Sequence, residues 1–356
     1  MNNTLIYYFG IFFLIAIFGL YTLNATNRNY QKSIYGNNTI IATILFCAVV
    51  LLLGTYPVRL DIAEDRTLYA YQFIFTQHGE PDYGNDKLFG LYMLLCTKIM
   101  SYQLWFVVTA FIYTLNLFIF CKKAAGCNYF ILFLLSVFSF SFFSYGVNTI
   151  RAGFAASFLL LALAYNEKKV PFYTAMCIAI GCHFSMIIPS IAIFIAKHWN
   201  NPKLFLKLWL ISIPLYAVAG GLFESVFSSM GGFDARISYL NPTAEDKEIY
   251  NVGFRIDFII YSCIPIFLGY YYIVKRKFND RLYSILYNSY ILANIFWILV
   301  IRANYSDRFA YLSWFLYTPV IIYPLLKTKL VPKQNIKIAY IILGSGLFTF
   351  FMYLKS

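Results

Sequence analysis

Charged residues are scarce in this sequence. Only 12% of its 356 residues are Asp, Glu, Lys or Arg, whereas about 25% is usual in a soluble domain. Hydrophobic residues make up 61% of the chain, against roughly 45–50% in soluble proteins, and the mean hydropathy is +0.66. A soluble fold of this length has too little interior to bury so much apolar surface. The composition therefore excludes a disordered chain and a soluble enzyme, and it predicts a membrane protein.

Metal-ligating and nucleotide-binding motifs are also missing. The chain has three histidines, and its seven cysteines form no C-x-x-C pair. This argues against structural zinc and iron–sulfur sites and favours cysteine as a small buried hydrophobic residue. No GxxxxGK[ST] phosphate loop, G-x-S-x-G elbow or D-x-D motif occurs. Nucleotide-driven pumps, serine hydrolases and metal-dependent nucleotide-sugar transferases therefore lose support, and we expect no metal or cofactor.

Long apolar runs define the predicted membrane helices. A spanning helix needs about 20 mainly apolar residues. The first run, 5–23, has neither the basic start nor the small-residue cleavage site of a signal peptide. We predict an all-α polytopic protein, a single transmembrane domain over 1–356, with about 10 full transmembrane helices. The predicted spans are 5–23, 39–56, 102–121, 128–146, 149–165, 204–224, 255–274, 282–301, 308–326 and 338–354.

Two apolar stretches are too short for full spans. Residues 88–100 lie between an outer loop and a span, so we predict an amphipathic helix at the outer interface. Residues 170–196 have cytoplasmic lysines on both sides and must cross an even number of times. Because this stretch is too short for two crossings, we predict a short broken hairpin. Its tip, near Gly181–His183, would lie inside the membrane beside a cavity.

The distribution of Lys and Arg predicts the orientation. One side of the predicted membrane holds 17 of the 28 basic residues and only two acids, Glu167 and Asp280, so we assign it to the cytoplasm. The net charge of +13 is then a consequence of topology, and no nucleic acid partner is expected. The larger loops, at about 57–87 and 225–254, lie on the opposite side. We therefore expect any polar function to face outward.

The first outer loop carries charged residues followed by aromatic ones. If the segment is helical, Asp61 and Asp65 share a face that Tyr69 and Phe73 continue. Carboxylates bind or deprotonate hydroxyl groups, and aromatic rings stack on pyranose faces, so the pattern favours a sugar site. A solvated loop with ordinary charge pairs is the alternative.

Two further ionisable residues stand in apolar surroundings. Arg151 lies one turn into the apolar helix of NTIRAGFAASFLLLAL, where it must reach the interface or find a partner. The small residues that follow it would allow a neighbouring helix to pack closely. His183 lies at the predicted hairpin tip in GCHFSMIIP. An ionisable group beside a helix break favours a functional role over that of a buried core histidine.

Arginines recur in later outer segments, near acids and tyrosines. They are Arg236 and Tyr239 in FDARISYL, Arg255 and Asp257 at the start of a span, and Arg302, Asp307, Arg308 and Tyr311 in RANYSDRFAYL. The planar guanidinium group matches phosphate oxygens and keeps its charge when partly buried. Several outer arginines that converged on one cavity would therefore form an anion site.

Four segments in this order resemble the EpsG family of Wzy-type bacterial polysaccharide polymerases. They are an outer D-x-x-x-Y-x-x-x-F (Asp65, Tyr69 and Phe73), IRAGFAASFLLLAL, HFSMIIP and SDRFAYL. The resemblance covers nearly the whole chain. This chain departs from many relatives at Ala152, which stands where they have glutamine.

The resemblance implies a membrane glycosyltransferase that polymerises undecaprenyl-pyrophosphate-linked oligosaccharide repeat units into O-antigen, capsular polysaccharide or exopolysaccharide. It also implies a multi-pass protein of the bacterial inner membrane, surrounded by membrane lipid, with its active site facing the periplasm. A flippase and a chain-length regulator would be its partners. The donor leaves as a pyrophosphate, which arginines can stabilise without a metal. One general base for the acceptor hydroxyl then suffices.

The expected site residues follow from the motifs and this chemistry. We expect Arg151 and Arg308 to bind the pyrophosphate, with Arg59, Arg236 and Arg255 as further candidates. The catalytic base is either Asp65 or His183, with Asp65 favoured for acceptor handling and His183 for the base. The predicted sugar-binding residues are Asp61, Tyr69, Tyr239 and Tyr311. The alternatives are a flippase or transporter for lipid-linked oligosaccharide, and an O-antigen ligase.

Overall fold

The structure is a computed structural model, and all the regular elements that it describes are helices. It describes residues 39–59, 65–79, 86–229, 254–303 and 306–355, together with Gly10, Leu14 and Ile17. Within these ranges there is no strand, so the predicted all-α fold class is confirmed. The predicted span 5–23 lies outside the described residues except for those three positions.

The described residues form α-helices in each of the described ranges. In chain order they are α1 (Thr39–Gly54), α2 (Asp65–Gln77), α3 (Lys87–Thr97), α4 (Tyr102–Ala125), α5 (Tyr129–Val137), α6 (Phe140–Val147), α7 (Ile150–Ala164), α8 (Lys169–Cys182), α9 (Ile187–His198), α10 (Pro202–Ser229), α11 (Ile256–Tyr270), α12 (Arg281–Leu299), α13 (Ser306–Trp314), α14 (Tyr317–Lys327) and α15 (Gln334–Lys355). The chain divides into two compact units. The first comprises Met1–His183 and Leu325–Ser356, and the second comprises Phe184–Pro324.

Among the described residues, five helical stretches are long and apolar enough to cross a membrane. They are Tyr102–Val137, Ile256–Lys275, Arg281–Leu299, Ser306–Lys327 and Gln334–Met352. Other apolar helices, such as α1 and α7, have 10–17 residues. The described part of the chain therefore has several helices of membrane-spanning length, whereas the count of about ten full spans stays a prediction.

In the first unit, helix α4 packs against α1 and α7, and α7 packs in turn against α8. Gly153 permits a close approach beside α7, because a Cβ atom there would lie 2.5 Å from the carbonyl oxygen of Tyr145 in α6. The expectation that small residues after Arg151 permit close packing is thus confirmed at Gly153. This contact fixes the first turn of α7, which carries Arg151.

The structure differs from the prediction over 128–146, which was expected to form one span. The helix stops at Val137 and restarts at Phe140. The Phe138 carbonyl, which the break frees from the helix ladder, accepts hydrogen bonds from Ser345 (3.2 Å) and Thr349 (2.7 Å) of α15. A break in an apolar segment is tolerated when the protein satisfies the freed backbone groups in this way.

Both short stretches are helical, and the second is broken at the predicted place, whereas its hairpin arrangement stays a prediction. Helix α3 has 11 residues, too few to span a membrane. Helix α8 ends at His183, whose backbone is extended (φ −155°, ψ 111°), and a 3₁₀ turn over Phe184–Met186 follows. The predicted helix break near Gly181–His183 is therefore confirmed. The interfacial position of α3 and the membrane depth of the break stay predictions.

The second unit is organised around α12, which packs against α9, α10 and α13. Asn294 in α12 is fully buried and accepts a hydrogen bond from Trp209 Nε1 at 2.7 Å. Its amide nitrogen donates to the hydroxyl groups of Ser262 (3.1 Å) and Ser313 (3.0 Å). Trp314 Nε1 also donates to Ser262 at 2.8 Å. This network joins α10, α11, α12 and α13, and each polar group in it gains a partner inside an apolar interior.

Candidate functional site

An ion pair between Asp86 and Arg151 forms the centre of the polar site in the first unit. Asp86 immediately precedes α3, and its side chain does not cap that helix. The carboxylate instead lies against Arg151, with 3.0 Å between Oδ2 of Asp86 and Nε of Arg151. The side chain of Asp86 is 1% exposed and that of Arg151 is 26% exposed. Arg151 therefore has a buried anionic partner, while about a quarter of its own side chain remains exposed.

Tyr69 lies beside the same arginine. It belongs to α2, and its ring centroid is 6.0 Å from Cζ of Arg151, which is within the range of a cation–π contact. The other neighbour of this ring is Phe89 of α3, at 6.3 Å in an edge-on arrangement. The structure thus brings together a residue predicted to bind sugar and a residue predicted to bind pyrophosphate.

The helix break at His183 adjoins this pair. Gly181 allows α8 to lie close to α3, because a Cβ atom there would be 2.4 Å from Cδ1 of Leu88. The Cys182 thiol lies within electrostatic range of Asp86. His183 follows directly and is itself buried, at 9% exposure. The sequence placed His183 at a break, and the structure puts that break next to the ion pair.

Helix α2 carries the acidic and aromatic motif of the first outer loop. The predicted helix is confirmed from Asp65 onward, so Asp65, Tyr69 and Phe73 share one face. Asp65 begins the helix and is half-buried, whereas Phe73 is buried against Trp105 at 5.5 Å. Asp61 lies outside the described residues.

A buried arginine fastens α2 to the rest of the first unit. Arg66 is 2% exposed, and its Nη2 donates a hydrogen bond to the Gly54 carbonyl at 2.8 Å. Its guanidinium group lies 4.0 Å from the ring centroid of Phe106. The Thr67 hydroxyl donates to the Arg59 carbonyl at 2.8 Å. These contacts hold the segment that bears Arg59, a predicted pyrophosphate ligand, against the start of α2.

Aromatic residues form the wall behind Arg151. Tyr92 of α3 stacks on Phe154 of α7 at 5.1 Å, and its hydroxyl lies 2.9 Å from that of Thr109. Burial raises the pKa of the Tyr92 phenol well above its ordinary value. Tyr92 therefore stays protonated at neutral pH and is suited to hydrogen bonding rather than to accepting a proton.

The second unit contains Arg255 and Arg308, two of the arginines that were predicted to bind pyrophosphate. Arg255 forms a two-pronged ion pair with Asp257, with Nε–Oδ1 at 3.0 Å and Nη2–Oδ2 at 2.7 Å. Its Cζ lies 3.6 Å from the ring centroid of Phe258. Asp307 lies within electrostatic range of both Arg255 and Arg308. Two predicted pyrophosphate ligands, Arg255 and Arg308, are therefore neighbours of one carboxylate.

The remaining predicted residues have different outcomes. Tyr311 is buried, with its ring 5.5 Å from that of Trp314, so it forms part of the packed interior. Arg302 is exposed and lies over the ring of Tyr216 at 5.7 Å. Arg236 and Tyr239 lie outside the described residues. Convergence of all the outer arginines on one cavity stays a prediction, as do the roles of the individual residues.

Asp86 is the site residue that the sequence analysis missed. A single acid at the end of a loop carries no spacing signal, and its partner Arg151 is far away in the chain. The available signal was that Arg151, in an apolar helix, requires an anionic partner, and this signal does not say which acid it is. Among the described residues, no group of three or more His, Cys, Asp or Glu side chains is arranged to hold a metal ion.

Comparison with known proteins places the chain in a family. No curated protein and no solved structure matches it. The model of the EpsG family matches residues 42–356, which is most of the chain and includes Asp65, Asp86, Arg151 and His183. The chain therefore belongs to the EpsG family, whose members are membrane proteins of polysaccharide biosynthesis.

Proposed function

We propose that this protein is a membrane glycosyltransferase that polymerises lipid-linked oligosaccharide repeat units, carried on undecaprenyl pyrophosphate, at the outer face of the bacterial inner membrane. The observation that carries the proposal is the grouping of Arg151, Asp86 and Tyr69 beside the helix break at His183. Family membership supports the same class of activity, since the EpsG family is associated with polysaccharide polymerases. About ten spans and a cytoplasmic side rich in lysine complete the proposed topology.

Arg151 would bind the donor pyrophosphate. Its guanidinium group forms an ion pair with Asp86, and its side chain is 26% exposed. An arginine that a buried carboxylate holds in place loses little further side-chain entropy when it binds phosphate oxygens. Its charge would stabilise the leaving pyrophosphate as negative charge develops. In the second unit, Arg308 and Arg255, both within electrostatic range of Asp307, are also proposed to bind phosphate oxygens.

The proposed reaction is a direct displacement at the anomeric carbon. The acceptor hydroxyl oxygen forms a bond to this carbon while the bond to the phosphate oxygen breaks. The pyrophosphate leaves with the bonding electron pair, and the acceptor proton passes to a general base. His183 is the proposed base because its break adjoins the Asp86–Arg151 pair. Asp65 and Tyr69, on one face of α2, would hold the acceptor sugar.

Deletion and complementation of the gene in the source bacterium test this function. We expect the long glycan ladder to collapse to single repeats, and the intact gene to restore it. Loss of all surface repeats, with lipid-linked units held inside the cell, would contradict the proposal and indicate a flippase. Full-length polymer that stays on its lipid carrier would also contradict it and indicate a ligase. A variant with Arg151→Ala should behave as the deletion does.

A further inference from the structure

A polar cavity is formed by the connection between α14 and α15. It has a volume of about 410 Å³ and belongs to the first unit. Its polar lining includes Lys327, Lys329 and Lys333 together with Asn128, Gln334 and Asn335. Among the described residues that line it, none is acidic. All three lysines lie on the predicted cytoplasmic side, whereas Asp65 and Arg151 lie on the predicted outer side.

The loop around this cavity is held in one conformation by Gln334. Its side-chain nitrogen donates to the carbonyl groups of Leu325 (2.6 Å) and Thr328 (3.0 Å). Its side-chain oxygen accepts from the backbone N–H groups of Leu330 (2.8 Å) and Val331 (3.3 Å). One buried amide thus satisfies four backbone groups of the loop. The cavity is therefore preorganised and needs no ligand to form.

Two further contacts shape the walls. The Asn128 amide donates to the Leu326 carbonyl and so ties the loop to the start of α5. Lys333 has a left-handed backbone (φ 49°), which turns the chain just before α15 begins. The first residues of α15, a helix of 22 residues, line the cavity as well. The positive end of this helix adds to the charge of the three lysines.

We propose that this cavity binds the phosphate headgroup of an anionic lipid from the cytoplasmic leaflet. The loop joins two stretches of membrane-spanning length, Ser306–Lys327 and Gln334–Met352, so the cavity lies at their predicted membrane surface. Basic pockets at the cytoplasmic ends of spanning helices are suited to phosphate headgroups. The volume lies within the range of about 300–1,000 Å³ that is usual for small-ligand sites, and it accommodates a phosphoglycerol group.

Lipid retention by the purified full-length protein tests this site. The protein is extracted in detergent and incubated with phosphatidylglycerol, phosphatidylcholine or inorganic phosphate, and bound species are counted by native mass spectrometry. The test variant combines Lys327→Gln, Lys329→Gln and Lys333→Asn, since asparagine tolerates the left-handed backbone. The control combines Lys168→Gln, Lys169→Gln and Lys203→Gln, which are exposed lysines of the same predicted side and remove the same charge.

We expect the unaltered protein to retain phosphatidylglycerol in preference to phosphatidylcholine. The test variant should lose this retention by about tenfold or more, because each lysine near an anionic headgroup contributes about 1 kcal/mol, and the control should keep it. If the test and control variants lost retention of phosphatidylglycerol equally, the proposed site would be wrong, because retention would then depend on the overall positive charge of the surface. Binding of inorganic phosphate without retention of phosphatidylglycerol would overturn the lipid assignment. A further variant with arginine at the three positions should retain the lipid, which separates lost charge from misfolding.

Discussion

Asp86 and Arg151 meet at 3.0 Å although they come from different helical segments, and the acid is the more deeply buried of the two. A buried carboxylate is stable as an anion only with a cationic partner. The ion pair therefore explains why a buried acid is tolerated just before α3 and why an arginine is tolerated in the apolar helix α7. It also holds Arg151, whose side chain is 26% exposed, next to Tyr69.

Replacement of Asp86 by asparagine should reduce polymer yield by about ten- to hundredfold, because a misplaced catalytic group costs about that much. Asparagine keeps the shape of the side chain but removes the charge that orients Arg151. Glycan ladders and the amount of protein in the membrane measure the effect. Asp86→Asn with Arg151→Lys should be no worse than the more damaging single change if the two residues act together.

The control for Asp86→Asn is Glu167→Gln, an exposed acid on the predicted cytoplasmic side. It removes the same charge and should leave the ladder unchanged. A full ladder with Asp86→Asn at normal protein levels would show that Asp86 has no part in the reaction.

Replacement of Arg151 by lysine should lower polymer yield by about 10²–10³-fold, as expected for loss of a group that stabilises developing charge. Lysine keeps the positive charge but loses the planar fork that matches phosphate oxygens. Arg308→Lys should have an effect in the same direction. Arg281→Lys, at an exposed position on the predicted cytoplasmic side, is the control and should be silent. If both site variants gave unchanged length and yield, binding of pyrophosphate by these arginines would be wrong.

Replacement of Gly153 by alanine should damage both stability and activity. The added Cβ would lie 2.5 Å from the Tyr145 carbonyl oxygen, a backbone atom that cannot move without displacing α6. We expect a loss of about 1–3 kcal/mol in the free energy of unfolding, as for other overpacked sites. Gly344→Ala in α15 is a matched control, because a Cβ there has no neighbour within 4 Å. Thermal unfolding in detergent compares the two, and equal stability would contradict the close packing.

Local patterns in the sequence predicted the local structure well. The charged and aromatic motif that begins at Asp65 forms a helix, and the helix break falls at His183. The helix follows from the spacing of its acidic and aromatic side chains. The break follows from the length between the flanking lysines, which is too short for two crossings. The 11-residue helix α3 was predictable from the length of its apolar stretch, which is too short to span a membrane.

Contacts between distant segments were not predictable from one sequence. Asp86 finds Arg151 only after α3 and α7 pack together, and neither residue has a spacing signal for the other. The break at Phe138 lies in a uniformly apolar run, and the groups that satisfy it come from α15. Hydropathy alone predicts one helix for such a run. It contains no information on which distant side chains can bond to the backbone carbonyl groups that a break leaves unpaired.

Replacement of Asn294 by alanine should destabilise the second unit by about 1–3 kcal/mol, because the indole N–H of Trp209 would lose its acceptor in an apolar interior. The hydroxyl groups of Ser262 and Ser313 would lose a donor at the same time. Asn279→Ala is the control, since that residue is exposed in the same unit. Thermal unfolding in detergent measures both variants. Equal melting temperatures would contradict a stabilising role for the network.

The last prediction distinguishes the base from the acceptor ligand. Purified protein in liposomes is supplied with lipid-linked repeat units, and the rate is measured across a range of acceptor concentrations. His183→Asn should lower the maximal rate by about 10²–10⁴-fold, the usual contribution of a general base. Asp65→Asn should mainly raise the acceptor concentration needed for half the maximal rate.

The backbone at position 183 permits this comparison. His183 has an extended conformation (φ −155°) that asparagine adopts without strain, so the change adds no backbone strain at the break. Asp65 is the first residue of α2, and asparagine is also well suited to the start of a helix. If Asp65→Asn lowered the maximal rate and His183→Asn changed only the acceptor requirement, the two roles would have to be exchanged, and the Asp86–Arg151 pair would then serve a base on α2.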